Sequence, residues 1–145
     1  MAFRFPLAAV LLVRENAKKR EEQALHTIQL EIARVSRQIE ELDADLASTH
    51  DARELAMQQP IPAAELHSFL LRVQAIAELK KTLLSRLHAL KLDRERQMKV
   101  YHAAHRDLET ILDMFDDQRE AYDQEQNRTE QKTLDDIFAT RRQRN

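Results

Sequence analysis

Between Leu66 and Tyr122 the chain places Leu66, Phe69, Val73, Ile76, Leu83, Leu87, Leu90, Tyr101, Ala104, Leu108, Ile111, Phe115 and Tyr122 at alternating steps of three and four. That spacing is a heptad seam along one face of a very long helix. Lys80, Arg94, Gln97 and Gln118 fill the remaining seam positions, so polar rungs interrupt the ladder without shifting its phase. An earlier ladder, Leu25, Ile28, Ile32, Val35, Ile39, Leu42 and Leu46, keeps the same strict spacing with a charged outer face. Between the two lies Met57-Gln-Gln-Pro-Ile-Pro-Ala63, whose two prolines cannot continue a helix and push the residues before them into extended backbone.

The pattern predicts an all-α fold: a long two-helix antiparallel coiled-coil hairpin with the C-terminal helix longer and overhanging. Helix 1 is expected over about 7–57, the turn over about 58–62 and helix 2 over about 63–140, the whole forming a single coiled-coil domain. Pro6 suits the first turn of helix 1. Helix 2 has no breaker after Pro62 and should extend for roughly 115 Å at ~1.5 Å per residue. If the seams fold back around Ile61, facing residues have numbers adding to 122. Leu46 then meets Ile76, Ile39 meets Leu83, Val35 meets Leu87, Ile32 meets Leu90, Leu11 meets Ile111 and Leu7 meets Phe115. Two independent ladders share a symmetry centre that falls between Pro60 and Pro62, which favours the hairpin over a chance pairing.

The same register shows where the core weakens. Arg14, Lys18 and Glu21 face Leu108, Ala104 and Tyr101, where Ala17 and Ala24 can rotate inward. Thr49 and Arg53 face Val73 and Phe69, leaving Phe69 at the tip without an apolar partner. Beyond about Gln118 helix 1 has run out of chain, so an overhang with Tyr122, Leu134, Ile137 and Phe138 is expected to lack an internal partner. Clustered apolar residues without a partner suggest a contact surface.

Composition narrows the function. Of 145 residues 33% are charged and none is glycine, which argues against a compact globule, phosphate-cradling loops and dinucleotide fingerprints. The absence of cysteine removes disulfides and thiolate chemistry and fits a reducing compartment such as the cytoplasm. With 23 basic against 25 acidic residues there is no global attraction to nucleic acid or anionic lipid. The apolar run Leu7 to Val13 is followed at once by Arg14-Glu-Asn-Ala-Lys-Lys-Arg-Glu-Glu22 without a small-x-small cleavage site, so it reads as a helix start rather than a signal peptide. It is also far shorter than the ~20 residues a membrane span needs.

No histidine follows an acidic residue by three positions, as a carboxylate-bridged metal site in a helical bundle would require. His102 and His105 fall off the seam and read as surface. Neither a catalytic set nor a cofactor or metal site is expected. Charge on helix 2 is uneven: Lys80 to Lys99 holds seven basic against two acidic residues, and Arg106 to Glu125 two basic against eight acidic. Either a solvated face with intrahelical pairs or a docking surface with two signs accounts for this. Arg141-Arg-Gln-Arg144 suits an acidic partner, lipid headgroups or a frayed tail equally well.

The opening Phe3-Arg-Phe-Pro-Leu7, the following Val10-Leu-Leu-Val-Arg-Glu15, the glycine-free hairpin pattern and the closing Glu130-Gln-Lys-Thr-Leu-Asp-Asp-Ile-Phe-Ala139 resemble the flagellar export protein FliJ family over essentially the whole chain. The resemblance implies a non-enzymatic stalk of the flagellar type III export apparatus, cytoplasmic and peripherally associated with the inner membrane at the flagellar base. Implied partners are the hexameric export ATPase, the cytoplasmic part of the export-gate membrane protein and the export chaperones, with no nucleic acid or small-molecule substrate. Gln38, Leu42 and Phe69 look like matches to the family's gate patch, with Val73 and Ile76 as neighbours; Asp45 and Thr49 stand where that patch carries aromatics. The open end, with Leu7, Leu11, Leu108, Phe115, Tyr122, Leu134, Ile137 and Phe138, is expected to engage the ATPase ring. The stalk of a virulence-type secretion system and a prefoldin-like holding chaperone are the alternatives.

Overall fold

A computed structural model describes residues 2–144 and contains two helices, α1 (Ala8–Ala56) and α2 (Ala63–Gln143). The two pack against each other, and no strand occurs among the described residues. Helix α1 begins just after Pro6, whose ring fixes φ where the first helical N–H groups lack partners anyway. The Ala8 amide donates to the Phe5 carbonyl at 3.2 Å, and the Leu11 amide to the Leu7 carbonyl at 2.9 Å. At its far end the bonds tighten: the Gln58 and Gln59 amides donate to the Leu55 and Ala56 carbonyls at 3.4 Å, three residues back. Pro60 and Pro62 then hold the chain extended until the Pro62 carbonyl accepts from the Glu65 amide at 3.1 Å and opens α2. No described residue has positive φ, so a glycine-free chain turns here without visiting the left-handed region.

The chain divides into two compact units, one of Glu21–Val100 and the other of the residues through Arg20 together with those from Tyr101 onward. The Glu21–Val100 unit is an antiparallel α-hairpin. Its seam follows the expected phase: Val35 and Ile76 are buried, and Leu25, Ile28, Ile32, Ile39, Leu42 and Leu46 of α1 and Phe69, Val73, Leu83, Leu87 and Leu90 of α2 are half-buried. Leu66 departs from this, being exposed. It sits in the first turn of α2, where the last turn of α1 offers Arg53 rather than an apolar side chain beside it.

Polar seam residues are accommodated in three ways. The Thr49 hydroxyl, almost fully buried, donates to the Asp45 carbonyl one turn earlier at 2.8 Å, so it needs no partner across the seam. Gln97 is half-buried and donates from Nε2 to the Glu21 carboxylate at 2.7 Å and to the Glu21 carbonyl at 3.1 Å. Lys80 passes its stem along the seam and pairs its ammonium with Asp43 on α1.

The uneven charge of α2 finds its complement in this unit. Residues 21–56 carry nine acidic and three basic side chains against the basic stretch from Lys80 to Lys99, and besides Lys80 with Asp43, Arg86 reaches Glu31 at 3.0 Å. Glu31 also receives two hydrogen bonds from Arg34, at 2.6 and 2.9 Å. The Arg34 hydrogen bonds, followed by that of Arg86, hold its carboxyl down from the ordinary 4.5 to about 2. Cross-helix pairing therefore joins intrahelical pairing as the explanation of the basic block.

Two outcomes follow from this packing. Val35→Ala should lower stability by about 2 kcal/mol in urea unfolding, because it empties the most buried seam position. The Glu31 carboxyl titrates lower in the folded chain than in the unfolded one, so its contribution is complete above pH 4.5 and fades as pH falls toward about 2. Glu31→Gln should make urea midpoints less sensitive to pH across that window at low salt, and added salt should shrink the difference between the two proteins.

Candidate functional site

The unit formed by the chain's two ends holds one of the expected contact surfaces. Leu108 is buried, and Leu7, Leu11, Ala104, Ile111 and Phe115 are half-buried between the starting turns of α1 and the facing stretch of α2. Ala17 is half-buried beside Lys18, while Arg14 turns outward and reaches Asp107 at 3.4 Å. His105 pairs with Glu109 at 3.0 Å, and its ring lies parallel to that of Tyr101 with centroids 6.1 Å apart.

Before Pro6 the chain is not helical, yet it continues the packing. Phe5 is buried with its ring edge-on to Phe115, centroids 5.2 Å apart. Phe3 meets Phe115 at 5.6 Å and Tyr122 at 5.5 Å. The expectation that Tyr122 lacks an internal partner is thereby corrected. Helix 1 does end, but an extended segment advances about 3.3 Å per residue against 1.5 Å in a helix, so a few residues carry the covering surface another turn along α2. The signal was present as Phe3-x-Phe5 before proline: alternate residues of an extended strand share one side, and Pro6 disfavours helix at Phe5.

From Asp123 through Arg144 every residue is exposed. Within this stretch Leu134, Ile137 and Phe138 are 50%, 45% and 64% exposed. They do not prolong the seam. Continued past Tyr122, the three-four phase falls on Glu125, Thr129, Lys132, Asp136 and Ala139, whereas Leu134, Ile137 and Phe138 occupy the opposite side of the helix with Arg141 one turn on. The cluster is thus a separate apolar stripe next to three arginines.

Of the residues expected at the tip, Gln38 and Leu42 come together in a shallow depression of about 230 Å³, with Glu41 and Asp45 of α1 and Leu79 and Leu83 of α2. Phe69 and Val73 are half-buried in the seam, and Ile76 is buried and borders a different depression beside Leu46. Leu79, 52% exposed, went unnoticed in the sequence because it precedes Lys80 just off the seam and fits neither ladder.

Among the described residues no three histidine, aspartate or glutamate side chains converge, and no helix is long and apolar enough to cross a membrane. A family model described as the flagellar FliJ protein matches residues 3–145. The chain belongs to the flagellar FliJ family. Searches of curated proteins and of solved structures returned no match. Membership makes this FliJ-family chain a component of flagellar protein export, in a family of non-catalytic parts of that machinery. Its matched region begins at Phe3, so the aromatic strap lies inside the family's own span.

Replacing both Phe3 and Phe5 with alanine should uncover Phe115 and Tyr122 and cost about 3 kcal/mol or more in urea unfolding. Amide exchange in 108–122 should rise while exchange in 73–90 keeps its rate. Unchanged exchange in 108–122 would mean the strap adds nothing to the packing there.

Proposed function

We propose that this chain is the non-enzymatic stalk of the flagellar type III export apparatus, coupling the hexameric export ATPase to the cytoplasmic part of the export-gate membrane protein and to export chaperones. The observation that carries this reading is the family match over residues 3–145 on a chain whose last 22 described residues, 123–144, are exposed along their whole length. A helix packed by the Phe3 strap as far as Tyr122 and bare beyond it has little reason to carry Leu134, Ile137 and Phe138 on one face unless another molecule covers them.

The contact residues sort by burial. Leu134, Ile137 and Phe138 meet the ATPase ring directly, with the arginines after them favouring an acidic rim. Leu7, Leu11, Leu108, Phe115 and Tyr122 act one step back, by holding the helix that presents the stripe. Toward the hairpin turn, Gln38 and Leu42 offer the gate a surface beside Leu79 and Leu83, and Phe69, Val73 and Ile76 continue the patch along the seam nearer the turn. Such a coupler works through position and stiffness and needs no cofactor. It would sit in the cytoplasm, held at the inner membrane at the flagellar base through its partners.

A pull-down with purified export ATPase tests this. Leu134→Ser, Ile137→Ser and Phe138→Ser together should weaken capture at least tenfold, about 1.4 kcal/mol. Thermal unfolding should stay where it is, because all three side chains are exposed. Undiminished capture overturns the assignment of the ring contact to this stripe.

A further inference from the structure

Helix α2 is apolar over a wider face than its partner covers. Immediately after seam residues Phe69, Ile76 and Leu83 come Leu70, Ala77 and Leu84, and the same seven-residue column continues from Ala63 to Met98 with only Lys91 polar. The column on the other flank, Glu65, Arg72, Leu79, Arg86, Asp93 and Val100, is charged at four positions of six. A two-stranded coil needs only the two seam columns; a third apolar column is the pattern of a helix that meets two neighbours. Here the third column is bare, with Leu70 50% and Leu84 47% exposed.

That flank of the Glu21–Val100 unit is concave and basic. A depression of about 540 Å³ is bordered by Leu46, Ala77 and Leu84 with Lys80, Lys81 and His88. A second, of about 410 Å³, is bordered by Leu66 and Leu70 with Arg53 and His67. No carboxylate lines either. Lys80 is engaged by Asp43, but Lys81 and His88 make no hydrogen bond or ion pair among the described residues. Arg53 lines the second depression and makes no ion pair among the described residues, so its charge is uncompensated there. Across the hairpin, the depression beside Gln38 carries Glu41 and Asp45 instead.

We propose that the Leu70, Ala77 and Leu84 flank is a docking groove for an amphipathic helix of a partner protein whose apolar stripe is bordered by glutamate or aspartate. The apolar column sets the register: Leu70 to Leu84 spans about 21 Å, four turns of a docked helix. The charges select the flank, since carboxylates meet Lys81, His88 and Arg53 on this side and are repelled by Glu41 and Asp45 on the other. This surface is separate from the stripe at 134–138 and does not depend on the stalk reading.

The test uses the full chain and two stapled helical peptides of about five turns, both with leucine at the two seam positions of each heptad. One carries glutamate at the flanking positions and the other lysine. Fluorescence anisotropy at low salt should show binding of the glutamate peptide and none of the lysine peptide. Leu84→Glu should weaken the glutamate peptide at least tenfold, about 1.4 kcal/mol. Lys81→Glu with His88→Glu, which leaves the apolar column intact, should do the same. Leu71→Glu, on the outer face of the same helix, should bind like the parent. Equal binding of the two peptides, or parental affinity in either groove variant, overturns the proposal. A dimer of the chain alone that Leu84→Glu dissolves also overturns it, by giving the groove to a second copy.

Discussion

In each of the two units the structure depends on a narrow seam of contact between a stretch of α1 and a stretch of α2. With so few residues buried among those described, Val35, Ile76 and Leu108 among them, there is no broad core to distribute cohesion, and each seam position matters in proportion. The seam is also what fixes direction. Pro60 and Pro62 reverse the chain, and the ladders then meet in the one register that keeps leucines and isoleucines opposite each other. Charge reinforces that register: Lys80 with Asp43 and Arg86 with Glu31 in one unit, and Arg14 with Asp107 in the other. Exposed pairs of this kind contribute about 0–1 kcal/mol each, so they discriminate against a slipped register more than they hold the helices together.

A single seam leaves most of both helices available to other molecules, which suits a part that works by contact. The surfaces left over are chemically distinct. On α2 after Tyr122 a short apolar stripe lies next to arginines; beside Gln38 and Leu42 a shallow depression carries acidic side chains; on the opposite flank Leu70, Ala77 and Leu84 run among basic ones. Surfaces of such different charge would favour chemically different partners.

The fold was legible because its cause is periodic. Spacing of three and four placed Val35, Ile76 and Leu108 in the seam, and the two prolines located the reversal within a residue or so of the observed helix ends at Ala56 and Ala63. The contact surfaces were less legible because they arise where periodicity stops. Phe3 and Phe5 pack from extended backbone, with a period of two, so a heptad scan ends before them and Tyr122 reads as uncovered. Leu134, Ile137 and Phe138 show helical spacing, but only a phase comparison with Gln118 and Tyr122 puts them on the opposite face. Leu70, Ala77 and Leu84 recur every seven residues, yet adjacency to a stronger ladder hides them until exposure separates a covered column from a bare one.

On the proposed function, cohesion and contact occupy different parts of α2: seam residues as far as Tyr122 hold the fold, and the exposed stretch after it is the surface offered to the export ATPase. Hydrogen exchange along α2, with and without the export ATPase, measures this directly. Slow exchange over 73–115 and fast exchange over 123–143 are expected in the isolated chain, with new protection over 130–143 when the ATPase is added. Protection gained only within 66–122, or none in the terminal segment despite complex formation, would contradict it.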